Sequence, residues 1–136
     1  MDSTTEHQGA CLCGAVSVTA RAKSHNIGIC HCKMCRQWGG GPMFAVECEE
    51  AVTFQGEAHI ATFRSSALAE RGFCKTCGTH LFFRFVEDNH YALPVGLLDD
   101  SDAWTLTDQI FINRKPPFYS FAENTRNLTE DEVLNP

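Results

Sequence analysis

Cys74-Lys75-Thr76-Cys77-Gly78, answered near the other end of the chain by Cys11-Leu12-Cys13-Gly14, decides how this sequence folds. Each stretch sets two thiols a few residues apart, with a glycine straight after the second. In a metal knuckle the chain turns back so that amide N–H groups point at sulfur, and glycine tolerates the positive φ this demands. Four thiolates close a tetrahedral zinc shell. A single ion held by both pairs would tie the first strand to a late hairpin. Such a staple contributes roughly 10–16 kcal/mol of apparent binding energy coupled to folding.

Outward from the knuckles the chain is a series of short β-type runs. Residues 15–19 and 43–48 alternate apolar and polar side chains. Residues 52–54 and 58–63 flank Gln55-Gly56-Glu57, which predicts a hairpin turn. Residues 79–85, 91–97 and 109–113 supply three further strands. Apolar residues nowhere keep helical spacing for more than two turns, so helix is expected only as short pieces over 33–38 and 130–134. The chain reads as all-β, a single domain over 1–136 with no linker, repeat or low-complexity segment.

Composition narrows the function classes. A formal net charge of -6, with the eleven Lys and Arg scattered and Arg114-Lys115 the densest local pair, argues against a nucleic-acid partner. No apolar run is long enough for a membrane-spanning helix. Met1 to Glu6 is polar and acidic, without the basic and apolar regions of a secretory leader, which makes cytoplasmic the expected location. In a reducing compartment eight cysteines point to metal or catalysis rather than to four disulfides. With 43% hydrophobic residues and ten Phe, the chain also has material for an ordinary core.

Cys30-His31-Cys32-Lys33-Met34-Cys35 is the second chemical feature. Seven clustered thiols make one closed site and three ligands over. The trio has three readings: part of a mixed structural cluster with one of the pairs, a redox relay through Cys32 and Cys35, or an open zinc site. A redox pair belongs at the start of a helix in a βαβ unit, which this β-rich chain does not supply. Three protein ligands leave a position free, the mark of catalytic zinc. Three thiolates around Zn²⁺ carry a net charge near -1, so the ion activates water poorly. It suits an incoming thiol or a carbonyl oxygen better.

The residues beside the trio extend this chemistry. Arg36 is placed to offset the negative charge, and Gly39-Gly40-Gly41 offers backbone amides to an oxyanion. His31, between two candidate ligands, reads as a bystander, and His80 as an outside candidate for either metal. Cys48 sits apart in an alternating strand and reads as a small buried hydrophobe.

Taken in order, Cys11 to Gly14, Cys30 to Arg36, Gly40 to Phe44 and Arg71 to Gly78, with Phe63-Arg64-Ser65-Ser66 before the last, resemble the glutathione-dependent formaldehyde-activating enzyme family. The resemblance covers about residues 9 to 112 and leaves 114–136 as an unaligned tail. It implies a Mss4-like fold, a tent of β-sheets, and two Zn²⁺ per chain. Cys11, Cys13, Cys74 and Cys77 would hold a structural zinc, and Cys30, Cys32 and Cys35 a catalytic one. The reaction it implies is condensation of formaldehyde with glutathione, a carbon–sulfur lyase in reverse.

Taken together, these observations lead to the expectation of a zinc-dependent lyase acting on a small carbonyl compound or its thiol adduct, glutathione among the candidate thiols. Its catalytic residues would be Cys30, Cys32, Cys35, Arg36 and Gly40. One alternative is a zinc lyase, dehydratase or isomerase of a specialised pathway, taking a larger carbonyl or polyketide-like substrate lined by Trp38, Phe44 and Phe118. Another is a non-enzymatic Mss4-like zinc module that binds a protein. A methionine-sulfoxide reductase would need Cys48 as its reactive thiol, and no basic residue adjoins Cys48 to activate it.

Overall fold

The computed structural model describes residues 6–99 and 102–136, so the polar stretch 1–5 lies outside the described residues. Among the described residues the chain forms eleven strands and two short helices. The strands are β1 (Glu6–Ala10), β2 (Ser17–Arg21), β3 (Asn26–Cys30), β4 (Met43–Glu49), β5 (Val52–Gln55) and β6 (Ile60–Arg64). They continue with β7 (Ala69–Cys74), β8 (His80–Phe85), β9 (His90–Pro94), β10 (Thr105–Ile110) and β11 (Arg126–Leu128). The helices are α1 (Lys33–Gly39) and α2 (Glu130–Leu134). The protein is therefore mainly β, as its short alternating runs predict.

Two compact units are present, one from 6–25 and 46–103, the other from Asn26–Ala45 and Trp104–Pro136. In the first unit β1, β2 and β5 form an antiparallel sheet. Its strands alternate as a half-buried sheet should, with Val18 and Ala20 of β2 at most 3% exposed. A second antiparallel run in this unit follows the order β9-β8-β7-β6. Leu81 and Leu93 are its fully buried leucines, each adding roughly 1.5–3 kcal/mol of hydrophobic stabilisation. Glu70 and Arg84, directly opposite across β7 and β8, make a two-pronged ion pair at 2.9 and 3.1 Å.

In the second unit β10 lies between β3 and β11 and runs parallel to both, while β3 pairs antiparallel with the first residues of β4. Parallel neighbours cannot be joined by a tight turn. The segments between these strands are accordingly long, and one of them carries Tyr119 and Phe121. The tail beyond Asn113 is thus structured: it supplies β11 and α2, the latter opened by a capping box between Thr129 and Glu132.

Several local expectations are corrected. Residues 52–54 and 58–63 do not form a hairpin, because β5 pairs with β2 and β6 with β7. Gly56, at φ 85, instead starts a 3-10 turn over Glu57–His59 that carries the chain from one sheet to the other. The strand expected at 15–19 begins at Ser17, since Cys11 and Val16 close the first knuckle through an amide–carbonyl bond of 2.9 Å. Strand 91–97 ends at Pro94 and strand 109–113 at Ile110, each passing into a 3-10 turn. In the latter Phe111 takes φ 55, which ends the extended ladder. Strands β1, β3, β7 and β11 escaped the alternation test. Two of them, Glu6–Ala10 and Arg126–Leu128, are too polar to announce themselves.

Candidate metal centres

Gly14 and Gly78 both adopt positive φ, 83° and 80°. Their amides donate to the Cys11 and Cys74 carbonyls at 3.0 and 2.8 Å, so each pair is a closed knuckle. The two knuckles face each other in the first unit, bringing the sulfurs of Cys11, Cys13, Cys74 and Cys77 within 4.8 Å of one another. Cys13 Sγ lies 3.6 Å from Cys11 Sγ and 3.8 Å from Cys74 Sγ. Four thiolates about 2.3 Å from a tetrahedral zinc stand roughly 3.8 Å apart, so the donor set fits such an ion.

Hydrogen-bond donors adjoin two of the tetrad's sulfurs. The Val16 amide donates to Cys11 Sγ at 3.3 Å. The Thr79 hydroxyl, 3.1 Å from Cys77 Sγ, pulls that thiol down to about 5, a thiolate at neutral pH. Thr79 Oγ1 also accepts from the Leu12 amide at 3.1 Å, so one hydroxyl bridges the two knuckles.

The trio assembles in the second unit. Cys30 ends β3, Cys32 caps the N-terminus of α1 by accepting from the Cys35 amide at 3.4 Å, and Cys35 is buried on that helix. Their three sulfurs lie within 4.8 Å of one another. Hydrogen bonding from the Cys32 thiol, then from Cys35, together with burial, pushes the Cys30 thiol well above its ordinary range. Three thiols this close cannot all ionise alone; a cation that stabilised all three thiolates would relieve them. The donor set therefore fits a metal with three protein ligands. Among the described residues these two groups hold only cysteines, and the expected partition of seven thiols into four and three is the one the fold makes.

His31 lies between Cys30 and Cys32 in the chain and is fully buried. Its main chain is held on both sides: its amide donates to the Ile110 carbonyl at 3.2 Å, and its carbonyl accepts from Arg36 Nε at 2.8 Å. The ring lies 2.8 Å from the Tyr119 hydroxyl through Nδ1 and 2.8 Å from Gln109 Oε1 through Nε2. Burial holds the imidazole below its ordinary value, with Lys115 and Arg36 acting in the same direction, so it is neutral. Burial likewise raises the Tyr119 phenol. Tyr119 and Gln109 were not found from sequence; the only signal was the aromatic cluster Phe118-Tyr119-Ser120-Phe121, outside every motif.

The remaining sequence candidates fall as follows. Arg36 lies beside the trio with its guanidinium anchored on His31. Gly40 is the left-handed C-cap of α1, and its amide donates to the Arg36 carbonyl at 2.8 Å. Phe44 packs edge to face on Phe121 at 5.5 Å, Phe118 is 83% exposed, and Trp38 is half-buried. Cys48 is 1% exposed, and burial lifts its thiol to about 12, which fits a buried hydrophobe and not a reactive thiol.

His80 lies outside both thiol groups, with Nε2 donating to the Phe82 carbonyl at 3.0 Å. Burial lowers its imidazole to about 4, against 6.5 in an unfolded chain, and the Arg71 charge adds to the effect. Between those values the unfolded chain binds the extra proton, so stability falls as pH drops from 6.5 to 4. In urea titrations across that window His80→Gln should lose less stability than the wild type, by about 3 kcal/mol. Equal losses in the two proteins would show that His80 does not govern the acid limb.

The family model of the glutathione-dependent formaldehyde-activating enzyme matches residues 6–114. An uncharacterized lyase of Schizosaccharomyces pombe (strain 972) is 35% identical to this chain over 130 residues, covering 95% of each protein. A crystal structure of a Rhodobacter sphaeroides protein shares the fold, with a TM-score of 0.62 over 75% of this chain and 98% of its own, at 21% identity. The family match spans both knuckles, the trio and the strands between them. By that match, and by its likeness to the yeast protein, the chain belongs to the glutathione-dependent formaldehyde-activating enzyme family.

Proposed function

We propose that the protein is a cytoplasmic, zinc-dependent lyase of the carbon–sulfur type, acting on a small carbonyl compound or its thiol adduct, with glutathione the first thiol to test. The observation that carries this reading is the trio: three cysteine sulfurs within 4.8 Å of one another, with no fourth His, Cys, Asp or Glu in the group among the described residues. Family membership and the lyase-named relative support it. Cys11, Cys13, Cys74 and Cys77 would hold one zinc for structure, and Cys30, Cys32 and Cys35 a second for the reaction. Bound at the trio, zinc supplies Lewis acidity toward a thiolate or carbonyl oxygen.

The chemistry asked of the chain is modest. Joining a thiol to an aldehyde forms one C–S bond and moves the thiol proton to the carbonyl oxygen; the reverse returns both, with no change of oxidation state. Arg36, fixed on the His31 carbonyl, contributes positive charge beside three sulfurs. Gly40 gives its amide to the helix end, so that amide is not free to bind an oxyanion.

A thermal-shift screen of the zinc-loaded protein against thiols and aldehydes tests the reading. Glutathione, alone or with formaldehyde, should raise the melting temperature as its concentration rises, because a ligand bound only by the folded state stabilises it. Silence toward every thiol, with a shift for larger aromatic or polyketide-like carbonyls, would instead favour the second reading. The exposed Phe118 and half-exposed Phe44 are the features that keep this alternative in view.

A further inference from the structure

The hydrogen bonds around His31 run in one direction. Gln109 Nε2 donates to Thr125 Oγ1 at 2.9 Å, and Thr125 Oγ1 donates in turn to Asn127 Oδ1 at 2.6 Å. That leaves Gln109 Oε1, which can only accept, facing His31 Nε2 at 2.8 Å. Nε2 therefore carries the ring proton, and Nδ1 accepts from the Tyr119 hydroxyl at 2.8 Å. With its amide on Ile110 and its carbonyl on Arg36, every polar group of His31 is engaged. Five of the groups in this lattice, Gln109, Ile110, Tyr119, Thr125 and Asn127, come from the part of the chain after Trp104. Tyr119 is itself tied down, because Lys115 Nζ donates to its carbonyl and lies 5.2 Å from its ring centre.

We infer that Tyr119 and Gln109 are positioning residues for the thiolate trio: by clamping the two ring nitrogens of His31 they fix the loop that carries Cys30 and Cys32. The physical reason is spacing. Cys30 and Cys32 flank His31 directly, so rotation of that residue moves both sulfurs, whereas Cys35 is held separately by α1. A buried ring with one nitrogen left unpaired would pay a desolvation penalty and turn to recover a partner. Outer groups that orient metal ligands are commonly worth tenfold to a hundredfold in metal affinity. Here the oriented group is the loop between two ligands. The inference rests on the proposed reading of the trio as a metal site.

The test is metal release from protein loaded with cobalt at both sites, followed by the thiolate absorption bands as a chelator is added. Tyr119→Phe and Gln109→Leu should each speed the loss of one metal per chain about tenfold to a hundredfold. The other metal, on Cys11, Cys13, Cys74 and Cys77, should leave at the wild-type rate. Gln109→Glu, which keeps the acceptor opposite His31 Nε2 but not the donor to Thr125, should hold the metal better than Gln109→Leu. Tyr119→Phe, which removes only a hydroxyl and keeps the ring, separates the lost hydrogen bond from lost packing. Wild-type release from both Tyr119→Phe and Gln109→Leu, whatever their melting temperatures, would overturn the inference and leave the metal reading standing. A wild-type protein that takes up only one cobalt per chain would overturn both.

Discussion

Replacing Cys74 by serine should abolish cooperative unfolding and remove one metal per chain. Cys74 is fully buried at the end of β7, and its sulfur lies 3.8 Å from Cys13 Sγ across the two knuckles. As a buried side chain alone, the exchange of sulfur for oxygen would cost about 1–3 kcal/mol. As a ligand, it forfeits much of a binding energy of roughly 10–16 kcal/mol, against a total stability of about 5–15 kcal/mol for a domain. Cys13 separates the two accounts, because it is exposed and yet belongs to the same tetrad. Cys13→Ser should be as damaging as Cys74→Ser if metal binding dominates, and nearly harmless if burial does. Metal content by mass spectrometry together with thermal melts followed by circular dichroism would distinguish the outcomes.

Cys32→Ser should have the opposite profile. Serine is itself a favoured N-cap, so the oxygen takes over acceptance from the Cys35 amide and α1 keeps its start. Stability should change by no more than about 1 kcal/mol. One metal per chain should be lost, and turnover of the thiol–aldehyde pair found by thermal shift should fall by about a thousandfold, the worth of several kcal/mol of charge stabilisation. A variant that keeps wild-type turnover would end the proposed mechanism. Set beside Cys74→Ser, this substitution asks whether the seven clustered thiols divide into a site for folding and a site for chemistry.

Much of the two sites was legible in the sequence because thiol chemistry is local. Gly14 and Gly78, directly after the second cysteine of each pair, signalled the positive-φ knuckles the structure contains. The spacing of Cys30, Cys32 and Cys35 needed only a strand end and one helical turn to converge. The strand partners were less legible. Gln55-Gly56-Glu57 has the composition of a hairpin turn, yet which strand takes up the β5 edge is decided by β2, more than thirty residues upstream. Turn residues report a local reversal, and they are blind to distant hydrogen-bond partners.

Tyr119 marks the same boundary within the functional site. Nothing near it in sequence distinguishes it from a surface aromatic in a proline-flanked tail. It matters because β10 runs parallel to β3, which sets Gln109 and Ile110 alongside Ile29 and Cys30. The return of the chain then carries Tyr119 to the other side of the His31 ring. By itself the sequence determined a mainly β chain and seven cysteines grouped as two pairs and a trio, since these follow from side-chain alternation, glycine positions and donor chemistry within a few residues. The tertiary structure alone decided which strands pair, and that the side chain of the histidine between Cys30 and Cys32 is buried and clamped by Gln109 and Tyr119 of the C-terminal segment. Those arrangements depend on strand pairing across the length of the chain, for which no short stretch of residues carries the information.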